Sequence, residues 1–213
     1  MLTQGEIETL LTAARADGAD FVELFIEDTE STNVQLVGGK VDTAGYARIN
    51  GAGIRVLSGT RSAYAYTADM SMTALIDTAR AAAALASAPG AAQGGIAFAM
   101  QAYRTPQEIP FRDVENDRRV RLIRDAANAA QAESGEISQV VAGYSDKVQR
   151  VCIANTEGLL VTDERPRTRG YVRAVAMQGG VAQTGFEAPG CCRGFEAYAG
   201  HIDLAGAGRK AAH

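Results

Sequence analysis

The stretches GIRVLSGTRSAYAYT, residues 53–67, and YVRAVAMQGGVAQTGFE, residues 171–187, follow one pattern. In each, an arginine set in an apolar run leads to a glycine-bearing turn, and a second run ends near a threonine or glutamate. Alternation sends successive strand side chains to opposite faces. Glycine at the turn supplies the left-handed backbone that a two-residue hairpin requires. The chain therefore reads as carrying the same antiparallel hairpin twice.

The flanks repeat as well. Before the first hairpin, Thr3 and Glu6 fit a capping box, and Ile7, Leu10, Leu11 and Ala14 recur at helical spacing up to Asp17-Gly18. FVELFIED, TNVQLV and KVDTAGYARI follow as strands, with Gly38-Gly39 and Ser58-Gly59 as connections. Ser71 then caps a helix striped by Met72, Leu75, Ile76 and Ala79. Before the second hairpin, Asp113 leads a helix that turns Val120, Ile123, Ala127 and Ala130 inward. EISQVVAGY, VQRVCIA, the turn NTEG and LLVTDE come next, and an alanine-rich helical stretch closes the chain. Between the copies, Pro89, Pro106 and Pro110 with Gly90, Gly94 and Gly95 mark a connector. The expected architecture is α+β: helix, antiparallel meander, helix, occurring twice, with helices covering a mainly antiparallel sheet. Residues 1–87 form the first repeat, 88–112 the connector and 113–213 the second repeat.

Composition narrows the function. A formal charge of −4 over 213 residues provides no basic field for phosphates, which argues against nucleic-acid binding. Arg118, Arg119, Arg121 and Arg124 alternate with Asp113, Glu115, Asp117 and Asp125 and read as a solvated helix face. The apolar run ARAAAALASA, residues 79–88, is too short to span a bilayer, and MLTQGEIETL is not a signal peptide, so a cytoplasmic location is expected.

Few residues suggest chemistry. GCCRGFEAYAGH, residues 190–201, brings Cys191 and Cys192 near His201, but adjacent cysteines do not suit one tetrahedral zinc. His201 and His213 lack an acidic neighbour at zinc-protease spacing. Cys152 reads as a strand residue, and a cysteine nucleophile would need a base and an orienting group that the sequence does not supply. Gly51, Gly53 and Gly59 read as strand turns, since a strand rather than a helix follows them. Glu187 and Glu196 read as separate surface carboxylates. Arg55 and Arg173 occupy matching places in the two copies and read as structural, with a ligand-facing role as the alternative. No catalytic or metal-binding residue is assigned.

Six stretches, in order, resemble the TldD/PmbA family, once called DNA gyrase modulators and regarded as zinc metalloproteases. They are GADFVELFIED, GAGIRVLSGTRSAYAYT, MSMTALIDTARAAA, VENDRRVRLIRDAANAA, GYSDKVQRVCIANTEGLLVTDERPRTRGYVRAVA and TGFEAPGCCRGFE. The TGFE and RGFE elements look most like a TldD-type subunit. The resemblance implies the N-terminal domain of a protease acting on unfolded peptides. Its HExxxH zinc motif is absent here and is expected in a C-terminal domain, so the chain by itself is expected to be inactive and to need no cofactor. The resemblance also implies a homo- or heterodimer with a TldD/PmbA-type subunit. Within that frame this domain holds peptide, and Arg55, Tyr64 and Tyr66 are the candidate contacts. The alternatives are a freestanding interaction or regulatory domain and, more remotely, an autonomous thiol enzyme.

Overall fold

A computed structural model describes residues 2–15, 18–86 and 95–213. Along them run α1 (Gln4–Arg15), β1 (Phe21–Val37), β2 (Lys40–Ser58), β3 (Arg61–Thr67) and α2 (Met72–Ala86). β4 (Ala99–Arg104) follows, then α3 (Asn116–Gln131), β5 (Ile137–Asn155), β6 (Leu159–Gln178), β7 (Val181–Glu187), β8 (Gly190–Cys191) and α4 (Leu204–Ala212). Helix, three-strand meander, helix thus occurs twice, and the fold is α+β with a mainly antiparallel sheet. The Asp17 end of the first helix and the connector's Pro89, Gly90 and Gly94 lie outside the described residues.

Local chemistry explains the element ends. The Thr3 N–H donates to Glu6 Oε2 at 2.7 Å and the Glu6 N–H to Thr3 Oγ1 at 3.3 Å, a reciprocal cap on α1. Ser71 Oγ accepts from the Ala74 N–H at 3.3 Å and starts α2. Gly38 and Gly39 turn β1 into β2 with φ of 55° and 77°, and Gly179 and Gly180 turn β6 into β7 with 58° and 83°. These are left-handed values that a Cβ resists.

The strands are longer than their composition suggests. FVELFIED and TNVQLV are one strand, as are KVDTAGYARI and GIRVLS, EISQVVAGY and VQRVCIA, and LLVTDE and GYVRAVAM. Their polar middles look like loops because no apolar alternation runs through them. The chain divides into two compact units, and each of these four strands gives one end to each unit. The polar middles fall where a strand leaves one core for the other. β4 is a strand that burial alternation could not announce, because all six residues are exposed. It pairs in parallel with β6, from Ala99 beside Leu159 to Arg104 beside Glu164.

Unit 1 holds Met1–Thr29, Ile49–Arg104 and Gln149–Glu164. Its strand order is β3-β2-β1-β5-β6-β4, so β3 and β4 are its edges. Leu10 and Leu11 of α1 and Leu75 and Ala79 of α2 pack with Val22, Leu24, Ile54 and Val56 in a core of aliphatic side chains.

Unit 2 holds Glu30–Arg48, Thr105–Val148 and Arg165–His213. Here β7 and β8 pair with β6. Ile123 and Ala126 of α3 and Leu204 and Ala207 of α4 cover Leu36, Ala142, Tyr144 and Val172. The two helices approach closely because Gly208 has no side chain; a Cβ there would run into the Ala126 carbonyl. Arg119 departs from the solvated-face expectation and is only 4% exposed. Its guanidinium donates twice to Asp146 Oδ2, at 3.1 and 3.0 Å, and to the carbonyls of Phe111 and Val114. Tyr144 donates to the same carboxylate oxygen at 2.7 Å. A strand carboxylate thus draws one arginine of the helix inward.

Candidate functional site

The Ser58-Gly59 turn sets the register of the β2–β3 hairpin. The Gly59 N–H donates to Asp20 Oδ2 at 2.7 Å, which holds the turn in place. Counting back, Arg55 lies across from Tyr64 and Gly53 across from Tyr66. Ile54 and Val56 are buried against α1 and α2, so alternation turns Arg55 to the opposite face, where it is exposed. Tyr64 is 59% and Tyr66 79% exposed, and their rings stack with centroids 6.3 Å apart. Arg55 Nε donates to Ser62 Oγ at 3.5 Å.

All three residues named from sequence therefore come together on one surface. Two supporting residues were missed: Ser62, and Gly53, where a Cβ would run into the Tyr64 hydroxyl. Both could have been read once the turn fixed the register. Gly51 and Gly53 are not turns but interior residues of β2. β3 ends the strand order, so among the described residues no strand pairs with its outer side. An edge strand with free N–H and C=O groups and two exposed aromatic rings beside it is a surface that an extended chain can join.

The second hairpin echoes the first. Arg173 lies across from Phe186, and both are exposed, so neither Arg55 nor Arg173 is a buried structural arginine.

The cysteine segment does other work. Cys152 is buried in β5, Cys191 is half-buried, Cys192 is exposed, and all are free thiols. Burial pushes the Cys191 and Cys152 thiols up, away from the thiolate that nucleophilic chemistry needs. Glu196 stabilises the following turn: its carboxylate accepts from the N–H groups of Gly194 and Ile109, each at 2.9 Å. Burial raises this carboxyl, and the backbone donors outweigh burial, so it stays below the usual carboxylate value. Among the described residues, no three His, Cys, Asp or Glu side chains gather as they would around a metal ion. A zinc site does not fit the described residues. No helix among the described residues is long and apolar enough to cross a membrane.

Comparison with known families gives the context. The profile of PmbA/TldA metallopeptidase domain 1 matches residues 22–86, and that of the PmbA/TldA metallopeptidase central domain matches residues 109–213. The chain belongs to the TldD/PmbA family. It is 22% identical over 173 residues to the metalloprotease TldD homolog of Haemophilus influenzae, covering 78% of this chain and 35% of that protein. Three solved structures share the fold. A candidate DNA gyrase modulator from Thermotoga maritima aligns with TM-score 0.75 and 18% identity over 98% of this chain and 46% of its own. One from Bacteroides thetaiotaomicron gives 0.77 and 13% over 99% and 49%. TldE of Thermococcus kodakarensis gives 0.72 and 16% over 97% and 46%. This member of the TldD/PmbA family thus spans under half the length of each of these relatives.

Proposed function

We propose that this chain is the peptide-holding and dimer-supporting N-terminal part of a TldD-like metallopeptidase that acts on unfolded peptides in the cytoplasm. Zinc and the cleaving groups belong to a further domain, and the dimer partner is a TldD- or PmbA-type subunit. The observation that carries the reading is the open β3 edge flanked by exposed Arg55, Tyr64 and Tyr66. Main-chain hydrogen bonds to an edge accept any sequence, and the tyrosine rings add apolar contact without selecting one side chain.

The test is fluorescence anisotropy with a labelled, uncharged unfolded peptide and the whole chain. Tyr64→Ala with Tyr66→Ala should weaken binding about tenfold, as loss of about 1.4 kcal/mol of aromatic contact would. N-methylation of every peptide amide should abolish it, because neither edge of the peptide then offers donors to the β3 carbonyls. Binding indifferent to both changes would end the β3 reading.

A further inference from the structure

Unit 2 carries a cleft of about 670 Å³. Three consecutive positions from each of four chain segments line it: 31–33 of β1, 145–147 of β5, 167–169 of β6 and 190–192 at β8. Alternation divides each strand triplet between two faces. Asp146 turns to Arg119 of α3, and Thr168 meets the Tyr198 hydroxyl at 2.9 Å, so both point into the helix-covered side. Their neighbours Lys147, Arg167 and Arg169 consequently project from the opposite face. Arg167 and Arg169 are exposed and Lys147 is half-buried.

The charges on this wall are unbalanced. Among the described residues, Lys147, Arg167 and Arg169 have no ion pair or side-chain hydrogen bond, whereas nearby Glu30 and Arg165 are engaged. The cleft's one acid, Asp146, is already held by Arg119 and Tyr144. Two cations elsewhere on the strands are matched: Arg150 pairs with Glu164 at 3.0 Å and Arg104 with the same carboxylate at 3.3 Å. A chain of net charge −4 therefore concentrates three unmatched cations in one concavity. Like charges gathered there repel each other and focus the field toward an anion.

The spacing identifies the kind of anion. Arg167 and Arg169 are two positions apart on one strand, so their stems leave the sheet roughly 6–7 Å apart. Alternate side chains of an extended peptide have the same separation. Guanidinium groups bind carboxylates through paired, planar hydrogen bonds. On the β1 wall, Ser31 and Asn33 offer hydroxyl and amide groups to the same occupant.

We infer that this cleft binds extended peptides bearing carboxylates at alternate positions, and so selects acidic segments for the peptide-holding domain. The inference rests on the peptide-holding reading but uses a surface separate from the β3 edge.

The test uses the whole chain and three labelled peptides of equal length: alternating glutamate–serine, glutamine–serine and lysine–serine. The glutamate peptide should bind about tenfold tighter than the glutamine peptide, the gain expected of two exposed ion pairs, and added salt should erase the difference. Arg167→Ala with Arg169→Ala should remove that gain and leave glutamine-peptide binding unchanged. Arg167→Glu with Arg169→Glu should reverse the preference toward lysine, with an unchanged circular-dichroism spectrum. If the glutamate and glutamine peptides bind alike and both are lost with Tyr64→Ala and Tyr66→Ala, the edge reading stands and the acidic cleft falls. If a peptide with its glutamates in one block binds as tightly as the alternating one, or inorganic phosphate displaces both equally, the site is a general anion site and the spacing argument fails. If no peptide binds at all, both readings fall together.

Discussion

The two compact units answer the same folding problem differently. Among its described residues, unit 1 buries leucine, isoleucine, valine, alanine and Cys152, with Phe98 packed part-buried against them and no buried charged pair. Unit 2 gathers Tyr144, Phe195 and Tyr198, with ring centroids 5.4 to 5.9 Å apart, around the Arg119–Asp146 pair. An aliphatic core adapts to small volume changes, because its side chains have no directional partners. A buried ion pair tolerates no such change: each partner, left alone, is a charge without water. The difference shows that a shared helix–meander–helix plan does not dictate how its interior is stabilised.

That contrast can be broken from either side. Arg119→Ala should destabilise the chain most, by about 3–5 kcal/mol, because Asp146 is left buried and unmatched. Urea titration measures the loss. Amide hydrogen exchange should place it first in α3 and the middle of β5. Equal deprotection of α1 and α2 would show that the pair does not belong to unit 2 alone. In unit 1, Leu24→Ala removes a side chain that is 0% exposed and should cost about 2–4 kcal/mol. Leu24→Met should restore most of it, whereas Arg119→Lys should restore little, since the guanidinium makes several directed bonds at once.

The smallest effect concerns pH. Glu196 keeps its carboxylate below the usual value in the folded chain, so in that interval the unfolded chain binds more protons. Its contribution is therefore present above the ordinary carboxylate value of 4.5 and is lost as pH falls through the lower folded value. Glu196→Gln should cost about 1 kcal/mol at neutral pH and flatten the acid limb of the stability curve, measured by denaturation at several pH values. An acid limb of unchanged slope would assign the loss to other carboxylates.

Much of the plan could be read from glycine. Gly38-Gly39, Gly59 and Gly179-Gly180 sit at the hairpin tips with positive φ, and alternation then placed Arg55, Tyr64 and Tyr66 on one face. Arg119 could not be read this way. Its acidic neighbours on the helix resemble solvated pairs, while its true partner lies in a strand that only the fold brings close. The cleft cations escaped for the same reason, because residues 31–33, 145–147 and 167–169 become neighbours only through strand pairing. β4 escaped because it buries no face at all.

The shared strands separate what was duplicated from what packs. Each repeat contributes segments to both units, so neither repeat alone contains a complete core. A chain cut in its connector would yield two pieces that are halves of a mutual template rather than two domains. Ends of β5 and β6 must join both units before either core closes. Folding of this molecule is therefore a matter of reunion across the chain, and the covalent link between the two complementary pieces raises their effective concentration.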